Sequence, residues 1–97
     1  MVTPMPIKKT LNYERGQLVK VVWIDIISES KWMSEEDIDK LAPAECTTIG
    51  HFVKDTAEFV VTAATTADDE PTDEEKPEQF GDVICIPKGV IRKIVKL

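Results

Sequence analysis

The sequence predicts a mainly β protein, a five-stranded small barrel with one short helix between the first and second strands. Three observations lead to this prediction. Five short runs are rich in β-branched and aromatic residues, a glycine interrupts the second run, and a proline followed closely by a glycine separates the last two. A glycine inside a strand is typical of a sharp bend or of a close approach by another backbone, and a barrel corner needs such a bend.

The first strand is predicted over residues 18–27, LVKVVWIDII, which is the strongest strand signal in the chain. Only Lys20 and Asp25 interrupt its apolar residues, and by parity they fall on opposite faces. Trp23 shares a face with Val19 and Val21, so we expect its ring to be a core or partly covered side chain.

A short helix is predicted immediately after Ser34. Ser34 is a good N-cap, Asp37 stands where a capping-box acid belongs, and Met33 is placed to pack onto Ile38. Pro43 disfavours helical geometry in the residue before it, so the helix must be short. We expect it to lie as a lid on the end of the barrel, held by packing rather than by propensity.

The second and third strands are predicted over residues 45–54 and 58–66, joined by a hairpin loop at 55–58. Gly50 lies in the middle of the second strand. His51 beside it is expected to be an ordinary, partly buried side chain. Cys46 and Cys85 fall inside strands and are not a C-x-x-C pair, so two buried thiols are expected.

The last predicted unit is a strand over residues 83–86, a single tight turn at 87–89 and a strand over 91–97. This end of the chain is basic, and we expect its cations on the outside of the barrel. The candidate partner-binding residues are these cations and an aromatic residue ahead of the helix: Trp32, Lys88, Arg92, Lys93 and Lys96.

Two segments fall outside this β pattern. Residues 1–16 form an N-terminal arm, with Gly16 as a plausible boundary to the barrel domain over residues 17–97. Residues 68–79 form an acidic insert that is expected to be flexible, because it has almost no apolar residues. The insert holds seven acidic residues and one lysine, which accounts for the whole formal net charge of −6.

Several functions are not expected. The sequence has neither of the standard glycine-rich phosphate-binding motifs, and its cysteines and single histidine do not form a zinc-ligand pattern. We therefore expect no enzyme activity, no catalytic residue, no cofactor and no metal. The chain has neither an apolar run long enough for a membrane span nor a secretory signal, which predicts a protein of the cytoplasm.

The ending GDVICIPKGVIRKIVKL resembles the last two strands and short helical turn of SH3-like and Sm-like barrels. Residues 21–53 and 86–97 also resemble short proteins of unassigned function from tailed bacteriophages and prophages. That pattern is Trp23-x-Asp25, Trp32, Pro43-x-x-Cys46-x-Thr48-x-Gly50 and Ile86-Pro87-Lys88-Gly89. The arm and the acidic insert depart from it. The resemblance implies a phage context, in the host cytoplasm or the virion, and supplies no catalytic residues.

Three non-enzymatic functions follow as hypotheses. The first is an accessory protein that binds a protein partner, such as a host or defence factor, through Trp32, an exposed barrel edge and the acidic insert. The second is an oligomeric barrel that binds nucleic acid or a nucleotide through the basic last strand. The third is a minor structural component of the virion. The sequence favours the first.

Overall fold

The protein is mainly β, and its five strands form one antiparallel sheet. A computed structural model describes residues 11–67 and 79–97. The elements are β1 (Leu18–Asp25), α1 (Glu35–Asp39), β2 (Ala44–Asp55), β3 (Phe59–Ala67), β4 (Gln79–Pro87), a single 3₁₀ turn η1 (Lys88–Val90) and β5 (Ile91–Lys96). The number and order of the predicted strands, the short helix and the tight turn before the last strand are confirmed. Two predicted bounds are wrong, since β1 ends at Asp25 rather than at residue 27, and β4 begins at Gln79, which lies in the predicted insert. Residues 1–10 of the predicted arm and 68–78 of the predicted insert lie outside the described residues.

The order of the strands requires this sheet to curve. Its strand order is β4-β3-β2-β1-β5, so β4 and β5 occupy opposite edges although they are consecutive in the chain. In a flat sheet these edges would lie about 19 Å apart, given a strand spacing of about 4.8 Å. The three residues of η1 span only about 6 Å at the rise of a 3₁₀ helix. The two edges must therefore bend towards each other at the end where η1 joins them.

The core lies on one face of this curved sheet. Its buried side chains come from all five strands: Val19, Val21, Phe52, Val60, Ile86 and Ile91. Alternation along β1 puts Val19 and Val21 inside, and Trp23 packs against the same cluster while remaining partly exposed. The expected placement of Trp23 is confirmed.

The residues just before β1 belong to the folded body. Gly16 N–H donates to the Phe52 carbonyl, and Phe52 N–H donates to the Gln17 carbonyl, each at 2.7 Å. Tyr13 adds an edge-to-face contact with the Phe52 ring, at 5.7 Å between centroids. The described end of the arm thus covers one side of the core.

Gly50 is required by a close approach of backbone. A Cβ built at this position would lie 3.1 Å from the carbonyl oxygen of Ala63 on the neighbouring strand β3. The irregularity in the β2–β3 pairing falls slightly later, between Phe52 and Lys54. Of the two reasons for a glycine inside this strand, the close approach is the one that applies at Gly50 itself.

The prediction of two buried thiols is wrong. Both cysteines lie in strands and both are free thiols, but Cys46 is half-buried and Cys85 is exposed. Cys85 belongs to β4, the edge strand, and its neighbours in sequence, Ile84 and Ile86, face the core instead. Because strand side chains alternate between faces, Cys85 is left on the solvent side.

Candidate functional site

The candidate site is the long connection between β1 and β2, residues 26–43, which we call the β1–β2 connection. It carries apolar side chains in water rather than in the core. Trp32 is fully exposed, with a relative accessibility of 101%, and Ile26 is 85% exposed. Ile27, Ile38 and Leu41 are also exposed large apolar residues of this connection.

The expected lid is not formed. Helix α1 contributes no buried residue, and none of its side chains packs against the core cluster. The predicted packing of Met33 onto Ile38 does not bury Ile38, which remains exposed. A helix of five residues with so little apolar surface gains too little from burial to fix its own position on the sheet.

The local structure of α1 is nevertheless the one that its sequence specifies. Asp37 N–H donates to the Ser34 hydroxyl at 3.1 Å, and Ser34 N–H donates to the Asp37 carboxylate at 3.4 Å. This reciprocal pair is the predicted capping box, and it satisfies amide groups that the short helix leaves open. The connection therefore has ordered local structure without a buried face of its own.

An apolar depression lies at the base of the connection, where the chain leaves β1 and enters β2. It has a volume of about 300 Å³ and is lined by Ile26, Ile27, Leu41, Ala42 and Pro43. We use the name apolar tip for this depression and for Trp32, which lies on the same connection. Exposed apolar groups on one connection are more informative than scattered ones, because contiguous apolar patches are typical of interaction surfaces.

The two tryptophans lie in opposite environments, one against the core and the other in solvent. The indole Nε1–H of Trp23 donates to the Thr48 hydroxyl at 3.0 Å, and its ring packs on the core. Trp32 has neither a hydrogen-bond partner nor a core contact among the residues that the structure describes. The Trp32 ring therefore gains no burial from the described part of the fold.

The predicted basic residues do not form one surface. Lys93 lies opposite Val22 of β1, whereas Lys96 lies opposite Val19, so the two exposed lysines point to opposite faces of the sheet. Arg92 is half-buried, and its Nη1 donates to the Gly89 carbonyl at 3.4 Å. The structure thus does not bring these cations together.

The expectation that Lys88 faces outward is wrong. Its side chain is buried, and its Nζ donates to the Asp55 carboxylate at 2.8 Å. The same carboxylate accepts the Leu11 N–H at 3.0 Å, and the Lys88 N–H donates to the Glu58 carbonyl at 2.7 Å. A lysine in η1 is drawn inward because the β2–β3 hairpin places an acid beneath it.

The Asp55 carboxyl is the residue that sequence reasoning missed. Burial raises its pKa, but the hydrogen bond and charge of Lys88, together with the Leu11 N–H, outweigh burial and hold the pKa below its ordinary value of 3.8. Asp55 and Lys88 are 33 residues apart, and no local pattern in the sequence links them. Only the fold reveals the pair.

The described residues offer no candidate metal centre. Within residues 11–67 and 79–97, no group of three or more His, Cys, Asp and Glu side chains could hold a metal ion. His51 Nδ1 lies 3.0 Å from the Gly16 carbonyl, which is an ordinary structural contact. None of the helices in these residues is long and apolar enough to cross a membrane.

Comparison with known proteins gives no relative for this chain. No protein-family model, curated protein or solved structure matches it at a significant level.

Proposed function

We propose that this chain is a non-enzymatic accessory protein that binds a protein partner through the β1–β2 connection, with Trp32 as the central contact. The single observation that carries the proposal is the complete exposure of Trp32 on a connection whose other apolar residues are also exposed. Tryptophan is enriched among the residues that dominate binding energy at protein interfaces. The proposed role gives this ring the burial that the isolated chain does not provide.

The proposed fold is a small SH3-like barrel. The order β4-β3-β2-β1-β5 and the single 3₁₀ turn between β4 and β5 support it, because together they require the sheet to curl. Fold alone does not carry function, so this likeness adds no activity. The proposed context is a tailed bacteriophage and the host cytoplasm, which rests on the sequence pattern around Trp23, Trp32 and Gly50 alone.

The nucleic-acid alternative has less support than protein binding. It requires cations on a common surface, but Lys88 is buried in an ion pair, and Lys93 and Lys96 lie on opposite faces. Non-specific nucleic-acid affinity grows with the number of phosphates that a protein can neutralise, so two divergent lysines offer little. A role as a minor virion component has no structural feature that favours it.

Affinity capture from host lysate tests the proposal. The tagged full-length protein, Trp32→Ala and the matched control Val83→Ala are compared, with captured proteins measured by quantitative mass spectrometry. Val83 is also an exposed apolar residue, but it lies on edge strand β4, away from the β1–β2 connection. We expect one partner retained by the wild type and Val83→Ala and lost by Trp32→Ala.

Two results would contradict protein binding through Trp32. Equal capture by Trp32→Ala and the wild type would remove Trp32 from the site. Salt-sensitive binding to oligonucleotides with no Trp32-dependent partner would favour the basic strand instead. Finding the protein in purified particles would favour the virion role.

A further inference from the structure

We infer that the partner of the β1–β2 connection is a cationic protein segment whose apolar side chains are bordered by lysine or arginine. This inference rests on the proposed function and adds the chemistry of the partner. It is carried by the combination of an exposed apolar tip and an excess of carboxylates on the same connection.

The charge of the β1–β2 connection, counted together with Asp25 at the end of β1, is unbalanced. From residue 25 to residue 40 the chain has six acidic side chains and two basic ones. The acids are Asp25, Glu29, Glu35, Glu36, Asp37 and Asp39, and the bases are Lys31 and Lys40. The region therefore carries a formal charge of −4, whereas the acidic insert lies elsewhere in the chain, between β3 and β4.

Three of these six carboxylates already make a hydrogen bond or an ion pair with a neighbouring residue. Asp25 accepts the Ile26 N–H at 2.8 Å, Asp37 is part of the capping box, and Glu36 pairs with Lys40 at 3.5 Å. The others are Glu29, Glu35 and Asp39, which are exposed and have no hydrogen-bond or ion-pair partner among the described residues. Their charge is available to an incoming molecule.

The charged and apolar groups occupy the same short connection. Ile26 and Leu41 line the depression, and Glu29, Glu35 and Asp39 lie on the chain between them. An apolar centre with a charged rim is the usual anatomy of a protein interface. Charges on the rim select partners of opposite sign and raise the association rate. An acidic segment would be repelled, as would a nucleic acid, which presents its phosphates first.

The test uses a defined probe, a synthetic amphipathic helical peptide made of leucine and lysine. Its binding to the full chain is measured by calorimetry at low and high salt, and by the change in tryptophan emission. A second peptide with glutamate in place of lysine is the control for apolar contact alone. We expect the cationic peptide to bind more tightly than the control peptide and to shift the tryptophan emission. Its affinity should fall as the salt concentration rises.

Two matched triple variants locate the responsible charges. The first, Glu29→Gln/Glu35→Gln/Asp39→Asn, neutralises the free carboxylates of the β1–β2 connection. The second, Asp73→Asn/Glu74→Gln/Glu75→Gln, removes the same number of charges from the acidic insert. We expect the first to weaken binding about tenfold and the second less than about threefold.

The outcomes separate this inference from the proposed function. A loss of peptide binding in the insert variant, with none in the connection variant, would overturn the inference. So would a Trp32-dependent lysate partner whose binding is the same in the connection variant as in the wild type, although the proposed function would then stand. Failure of the function itself is a different result, namely a lysate partner that is indifferent to Trp32→Ala.

Discussion

Lys88 Nζ lies 2.8 Å from Asp55 Oδ2, and the two side chains are only 1% and 8% exposed. This ion pair joins the β2–β3 hairpin to η1, the turn that connects the two edge strands of the sheet. The backbone bond from Lys88 N–H to the Glu58 carbonyl reinforces the same junction. These two contacts of Lys88 therefore link the β2–β3 hairpin to the turn between the two edge strands.

Replacing Lys88 by methionine should destabilise the protein by about 3 kcal/mol. Methionine fills much of the lysine volume but removes the ammonium group that pairs with the buried Asp55 carboxylate. A buried charge that loses its partner destabilises the fold more than the loss of an exposed ion pair does. Urea unfolding followed by tryptophan emission measures the change. The matched control is Lys96→Met, an exposed lysine on β5 whose loss should change the free energy of unfolding by less than about 0.5 kcal/mol.

The double variant Lys88→Met/Asp55→Asn tests whether the loss comes from the stranded charge. An asparagine oxygen can still accept the Leu11 N–H, so we expect the double variant to be more stable than Lys88→Met alone. If the double variant is the less stable of the two, the cost in Lys88→Met arises from packing, and the charge argument is wrong.

The stability of the protein should fall in acid partly through Asp55. Because its folded-state pKa lies below the ordinary 3.8, the carboxylate stabilises the fold fully above that value, and this contribution disappears as the pH falls through the folded-state pKa. The difference in unfolding free energy between wild type and Asp55→Asn should therefore narrow from about pH 6 to about pH 2. A constant difference across that range would contradict the assignment.

Replacing Gly50 by alanine should destabilise the fold by about 1–3 kcal/mol. The added Cβ would lie 3.1 Å from the Ala63 carbonyl oxygen and 3.4 Å from the Thr62 side chain, so the β2–β3 ladder must shift. Gly89→Ala is the control, because nothing lies within 4 Å of a Cβ there. Gly89→Ala should be neutral, or should stabilise the protein by up to about 1 kcal/mol because alanine lowers the conformational entropy of the unfolded chain. Thermal and urea unfolding compare the two, and equal losses would refute the close-approach explanation.

Replacing Ser34 by alanine should destabilise α1 without destabilising the β-sheet. Loss of the cap should reduce the local stability of the helix by about 1 kcal/mol. Because α1 has no buried residue, this change should leave the packing of the core unaltered. Amide hydrogen exchange at Asp37 and Ile38 should accelerate while the global free energy of unfolding stays within about 0.5 kcal/mol. Ser30→Ala, in the same connection but without a hydrogen bond to the described residues, should change neither. A global loss as large as the cap energy would mean that α1 does pack as a lid.

Local patterns predicted the secondary structure well. The first strand, the capping box at Ser34 and the tight turn after Pro87 depend on residues close together in sequence, and each is present in the structure. The partial burial of Trp23 also followed, because alternation along β1 places it on the same face as Val19 and Val21. The sequence did not predict that Trp32 is fully exposed.

The chain by itself determined which segments are extended, where the one helix begins and where the last two strands turn, because these depend on backbone preferences and short-range hydrogen bonds. Only the tertiary structure decided that Lys88 turns inward to Asp55, that Cys85 faces solvent and that α1 leaves its apolar side chains uncovered. Those outcomes depend on which groups the curved sheet brings together across long stretches of sequence. The type of a residue indicates whether burial or pairing would stabilise it, but only the fold determines which groups lie close enough to bury it or pair with it.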